Sequence, residues 1–218
     1  MRGQFISFEG GEGAGKSTQA LLLAERLRAL GFGVVVSREP GGSPGAEAIR
    51  HVLLSGAAKP LGLHAEAILF AAARADNVNQ TILPALERGQ WVITEGFTHL
   101  SSLSQGAGNA QARLLAHLEK TTIGELKPDL SVILDLSPAQ GLMRIQGARG
   151  DEPADAEALE LASKQRKAML DVAEREPQRC VVINAGADAS TIAEFVWVAV
   201  NARLLPAEAP PRLRSAAS

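Results

Sequence analysis

The segment Gly10–Ser17, GGEGAGKS, constrains this chain more than any other. It fits the pattern G-x-x-x-x-G-K-[ST] and lies between an apolar run, Gln4–Glu9, and a helical pattern that starts near Ser17. That strand–loop–helix setting is the context in which the pattern builds a phosphate cradle. Glycine lets the backbone turn so that successive N–H groups point inward at phosphate oxygens. The helix N-terminus adds its partial positive charge. The loop therefore implies ATP or GTP, with Gly10, Gly11, Glu12, Gly13, Ala14, Gly15, Lys16, Ser17 and Thr18 around the phosphates. Lys16 is expected to reach the β and γ phosphates, and the Ser17 hydroxyl to ligate Mg²⁺. A ligand-free glycine turn would account for the composition, but not for its place between strand and helix.

The rest of the chain alternates short apolar runs with long helical patterns, which predicts an α/β fold with helices around a parallel sheet. The strand candidates are Gln4–Glu9, Gly33–Ser37, Trp91–Glu95, Leu130–Leu136 and Cys180–Asn184. WVIT and LSVILDL are nearly all apolar, as central strands covered on both faces must be. Helical patterns run over Ser17–Leu30, Gly45–Leu54, Leu63–Glu87, Ala110–Ile123, Pro138–Gly147, Ala158–Glu176 and Ala189–Leu204. Pro138 suits a first helical turn. At 218 residues the chain reads as one domain, over 1–205, with a mobile stretch QGARGDEPADAEALE. The Pro- and Ala-rich end, 206–218, reads as a disordered tail.

A net charge of −2 lacks the basic footprint of a nucleic-acid binder. The lone Cys180 forms no internal disulfide, and His51, His64, His99 and His117 lack ligand spacing, so no zinc site is expected. With no signal-like N-terminus and no apolar run of the roughly 20 residues a membrane span needs, a cytoplasmic protein is expected.

Four stretches in order, FISFEGGEGAGKSTQ, SREPGGSPGAEAIR, ILFAAARADNV and LKPDLSVILDL, resemble the bacterial thymidylate kinases. Arg-Glu-Pro-Gly-Gly after the second strand is the most specific of these. The likeness covers residues 1 to about 204. It implies a P-loop kinase fold with a five-stranded parallel sheet and a small helical lid at about 145–160. It also implies transfer of the ATP γ-phosphoryl group to dTMP with Mg²⁺, and a homodimer. By the same resemblance, Arg38 grips the acceptor phosphate, Phe70 stacks on the thymine, and Arg74 lies one helical turn beyond on the same face. Glu12 approaches the sugar 3′-hydroxyl, Ser101 and Gln105 line the base edge, Glu95 holds Mg²⁺ through water, and Arg149 acts from the lid.

The chain also departs from the family. Where members end their third strand in Asp-Arg-aromatic, it reads Glu95-Gly96-Phe97. Where they carry Ala-Tyr-Gln, it reads Leu103-Ser104-Gln105, and the missing tyrosine bears on exclusion of a ribose 2′-hydroxyl. Asp151–Glu160 holds five acids and no base. A transition-state arginine in phosphoryl transfer is worth about 10³–10⁵ in rate, or roughly 4–7 kcal/mol. Arg144, Arg149 and Lys164 are the candidate substitutes. Two other readings accommodate the departures: a kinase for another or a modified pyrimidine nucleotide, and a non-catalytic nucleotide-binding paralogue. Retention of Lys16, Ser17, Arg38 and Arg74 argues against the paralogue.

Overall fold

The computed structural model describes residues 2–97, 109–149 and 156–205, with backbone alone at 109–112, 147–149 and 157. Five strands form one parallel sheet: β1 (Phe5–Glu9), β2 (Val34–Arg38), β3 (Trp91–Glu95), β4 (Leu130–Asp135) and β5 (Cys180–Asn184). Their spatial order is β2-β3-β1-β4-β5. The P-loop kinase architecture implied by the sequence is therefore the one observed. β1 is buried along its whole length, and β3 and β4 along all but their last residue. Apolar side chains on both faces of these strands leave them no stable place but the middle of a covered sheet.

The helices are α1 (Lys16–Ala29), α2 (Pro44–Leu54), α3 (Leu63–Asn77), α4 (Leu83–Glu87), α5 (Asn109–Ile123), α6 (Pro138–Arg149), α7 (Ala156–Arg175) and α8 (Ala189–Leu204). One face of the sheet packs Ile6, Phe8, Val132 and Leu134 against Leu23 and Leu27 of α1 and Ile192 and Val196 of α8. The other packs Phe5, Val92 and Phe97 against Val78, Ile82 and Leu86. Each such fully buried side chain contributes about 1.5–3 kcal/mol of transfer free energy.

One expectation needs correction. Leu63–Glu87 is not one regular helix, because a π-helical turn, Val78–Ile82, separates α3 from α4. Pro84 lacks the N–H that a continuous helix needs and its ring crowds the turn before it, so the backbone widens there. Of the stretch expected to be mobile, QGARGDEPADAEALE, residues 150–155 lie outside the described residues; α6 runs into it as far as Arg149 and α7 begins at Ala156. The tail at 206–218 lies outside the described residues.

Parallel strands place all their C-terminal ends on one edge, where ligands of such sheets bind. There Arg38 stands opposite Glu95 in register, and Phe8 is paired with Glu95 from the other side. β2 ends one residue later than the sequence pattern indicates, so Arg38 belongs to the strand and takes its orientation from it.

Candidate active site

The phosphate loop joins β1 to α1 and ends in Gly15, which caps the helix with φ +90°. Lys16 Nζ donates to the carbonyl oxygens of Gly10 (2.9 Å) and Gly11 (2.8 Å), folding the lysine back along the loop. Burial pulls the Lys16 ammonium below its ordinary pKa, while the carboxylates of Glu9, Glu95 and Glu12 pull the other way. The cation thus stays poised over the cradle in an acidic setting. Next along α1, Ser17 Oγ donates to Glu95 Oε2 at 2.5 Å, so the two expected Mg²⁺ residues are already brought together. Both supply hard oxygen donors, and no group of three or more metal-type side chains occurs among the described residues. Such a set suits Mg²⁺, which keeps several waters and is completed by substrate phosphates rather than caged by protein.

Glu9 was not singled out from the sequence, yet it lies at the centre of this edge. It is buried, and its Oε1 accepts a hydrogen bond from the Phe97 N–H at 3.0 Å, fixing the chain just after β3. The only sequence signal was a lone acid closing an apolar strand immediately before the loop.

At the end of β2, Arg38 is not a free cation. Its Nε and Nη2 donate to Glu47 Oε1 (3.2 Å) and Oε2 (3.0 Å), and Glu47 Oε1 also accepts the Gly42 N–H. The hydrogen bond to Glu47 raises the Arg38 pKa, and the same contact lowers that of Glu47. A guanidinium has five donors in a planar fork, so the Nη1 edge of Arg38 is left for a second anion.

Arg74 is more deeply held. Its Nε donates to Glu39 Oε2 at 2.6 Å, with the two side chains only 3% and 5% exposed. Its guanidinium carbon lies 5.2 Å over the Phe97 ring. Arg74 Nη1 and Glu39 Oε1 are buried with no hydrogen-bond partner among the described residues. Burial pushes the Glu39 carboxyl up to about 7 against the pull of Arg74. The arginine inside FAAARA therefore has its anion within the protein, supplied by Glu39, the second residue of Arg-Glu-Pro-Gly-Gly. Phe70, one turn earlier on α3, is half-buried against Ala67, Ala71 and Leu115.

Gly96 has φ +75°, and among the described residues a Cβ there would meet only the Glu39 carbonyl oxygen, at 3.8 Å. The position is left-handed, a backbone that disfavours residues other than glycine. Of the substitutes considered for the missing arginine, Lys164 is exposed and paired with Glu160, whereas Arg144 donates to the carbonyls of Gly13 (3.3 Å) and Ala185 (3.1 Å). Arg144 thus sits at the loop and Lys164 is committed elsewhere. The side chain of Arg149 lies outside the described residues, as do Ser101, Ser104 and Gln105. Glu12 is exposed on the rim of the loop.

A phosphate loop, a Ser–carboxylate pair and two arginines now share one sheet edge. The family model for thymidylate kinase matches residues 8–195. The chain belongs to the thymidylate kinase family. It is 50% identical to a thymidylate kinase of Nitrobacter hamburgensis over 220 residues, spanning 99% of this chain and 96% of the relative. Relatives of the same name from Nitrobacter winogradskyi (51% identity, 96% and 93% covered) and Afipia carboxidovorans (50%, 95% and 94%) are similarly close. A thymidylate kinase must bring two nucleotides together, and the two arginine–carboxylate pairs lie across the strand ends from the phosphate loop. Half of those pairs, Glu39 and Glu47, went unnoticed in sequence because nothing local marks a glutamate as an arginine's partner.

Proposed function

We propose that this member of the thymidylate kinase family transfers the γ-phosphoryl group of ATP to dTMP, forming dTDP. Supporting this above all is the cluster at the β1, β2 and β3 ends, where Lys16, the Ser17–Glu95 pair and Arg38 converge. In this reading Lys16 neutralises donor phosphates, and Ser17 with Glu95 would hold Mg²⁺, which would supply further positive charge against the phosphates. Arg38 takes the acceptor phosphate on its free edge, Phe70 stacks on the base, and Arg74 stands beside it. Glu12 faces the sugar, Ser101 and Gln105 line the base, and Arg149 comes from a lid at about 145–160. One domain over 1–205 carries the whole reaction.

A homodimer is the assembly we favour. Leu54, Leu61, Leu63 and Ile68, on α2, α3 and the turn between them, are each more than half exposed, an apolar group that a second copy would cover. A second substrate reading has one specific observation behind it: Gly96 puts no side chain at the β3 end, and among the described residues only the Glu39 carbonyl would meet a Cβ there, which suits a different pyrimidine nucleotide. A coupled assay for ADP release over a panel of nucleoside monophosphates tests both. The proposal expects dTMP to give the highest kcat/KM. Preference for another pyrimidine would move the chain to the second reading, and no ADP release with any acceptor would exclude both.

A further inference from the structure

The phosphate loop rests on the lid-bearing helix α6 through a contact of unusual closeness. A Cβ on Gly13, whose φ is +70°, would stand 2.2 Å from the Gly141 carbonyl oxygen and 2.9 Å from the Gly141 Cα. A Cβ on Gly141 would stand 2.3 Å from the Glu12 carbonyl oxygen. Both obstacles are backbone and cannot rotate aside. Nearly one turn further along α6, Arg144 Nη1 donates to the Gly13 carbonyl, and its Nη2 to the Ala185 carbonyl in the turn after β5. Gly141 lies inside a helix of 12 residues, where glycine is a poor choice on propensity alone. Close backbone approach is the physical reason for a glycine in such a place.

We propose that Gly141 and Arg144 are positioning residues: α6 forms a seat for the Glu12–Gly13 peptide and thereby sets the shape of the donor cradle. The inference rests on the assignment of Gly10–Ser17 to the donor phosphates. In a loop that binds with backbone N–H groups, the tilt of each peptide decides where its N–H points. The Glu12–Gly13 peptide has α6 directly behind it, and Arg144 takes up the next carbonyl. Lys16 leans on the carbonyls of Gly10 and Gly11 in the same loop, so a displaced peptide moves the cation's support as well. Relieving a Cβ at Gly141 requires a shift of about 1 Å, a misplacement that can cost about 10²-fold in rate.

The test is steady-state kinetics on the full-length Gly141→Ala variant, with inorganic tripolyphosphate as a competitor for the cradle alone. Expected are a roughly ten- to hundredfold loss in kcat/KM for ATP and a parallel rise in the tripolyphosphate inhibition constant. The KM for dTMP stays within about twofold and the melting temperature changes little, which a merely structural role would not produce. Arg144→Gln gives a smaller loss of the same kind, and the double variant loses less than the sum, since both act on one peptide. If folded Gly141→Ala binds tripolyphosphate like the unaltered protein, the seat is disproved. A shared rise in both nucleotide KM values with a lowered melting temperature also overturns it. Should Gly141→Ala not fold, Arg144→Gln decides, and an unchanged tripolyphosphate constant there is the adverse result. Lys16→Ala separates the two ideas: full activity in that variant sinks the donor-site assignment itself, whatever α6 does.

Discussion

On the side proposed for the donor the working surface is backbone, whereas on the side proposed for the acceptor it is charged side chains held by other charged side chains. The donor loop turns through glycines, leans on α6 at Gly13 and Gly141, and carries one lysine supported by two carbonyls of its own loop. The acceptor side depends on Arg38–Glu47 and Arg74–Glu39, which join β2, α2 and α3. The difference teaches where each half is vulnerable. A backbone cradle cannot be abolished by any one carbonyl or N–H, but it fails if its single cation goes or its peptides are displaced. An ion-paired surface fails residue by residue, and each failure leaves a carboxylate behind.

The largest expected effect is therefore Lys16→Ala. Phosphoryl transfer should fall by about 10³-fold or more, with an unchanged far-ultraviolet circular dichroism spectrum, because Lys16 supports the loop and not the core. Wild-type turnover would show that the donor binds elsewhere and the comparison collapses.

The two arginines divide the acceptor side further. Arg38 is 52% exposed and Glu47 41%, so their pair adds little to folding, about 0–1 kcal/mol as for surface ion pairs. Arg74→Ala would leave Glu39 buried without its ion partner; since burial already pushes that carboxyl toward its neutral form, the cost is that of an unsatisfied buried polar group, about 1–3 kcal/mol. Both substitutions should weaken acceptor binding by roughly ten- to hundredfold, the loss of a charge-assisted hydrogen bond of about 1.5–3 kcal/mol, with ATP affinity little changed. Only Arg74→Ala should also lower the denaturation midpoint. Calorimetry alongside denaturant melts separates these outcomes. Unaltered acceptor affinity in both variants would remove the acceptor role from this half of the site.

Glu39 also makes the half proposed for the acceptor sensitive to pH. Its carboxyl is raised from its ordinary range to about 7 by burial. A raised pKa means that the folded state holds a proton the unfolded chain has already released. That contribution to stability is complete below the unfolded value and is lost as pH rises through about 7. Stability measured with a chelator present should therefore decline between pH 5 and 8, and Glu39→Gln should flatten that slope. An equal slope in the variant would assign the dependence to other groups.

The contrast also explains what could be read from the chain. The five strands and the phosphate loop follow from local pattern: apolar runs of the right length, then glycines between strand and helix. Arg38 and Arg74 were found through a family likeness, but their partners were not, since Glu39 and Arg74 lie 35 positions apart and meet only in the fold. Glu9 and the α6 seat escaped for the same reason. Gly141 looks like a weak spot in a helix until Glu12 is seen against it. The π turn before Pro84 is a middle case, since proline announces a disturbance without saying which form it takes.

Gly96 is the place where both halves meet, and it yields the smallest and most discriminating prediction. Among the described residues only the Glu39 carbonyl lies within 4 Å of a Cβ added there, at 3.8 Å. The backbone, however, sits at φ +75°, and a non-glycine residue in that region costs of order 1–3 kcal/mol. Gly96→Ala carries the strain without the charge and should lower stability while leaving kcat unimproved. Gly96→Arg carries both and should raise kcat for dTMP by about tenfold, a fraction of the 10³–10⁵ an arginine at a transferring phosphoryl can supply. Arg149→Ala should then cost less in the Gly96→Arg background than in the natural sequence, because the two cations would share one task. Kinetics on that four-member cycle, with Gly96→Ala as the strain control, weighs the two halves against each other. Additive effects, or no gain from arginine beyond alanine, would mean that this strand end was rebuilt around a different acceptor.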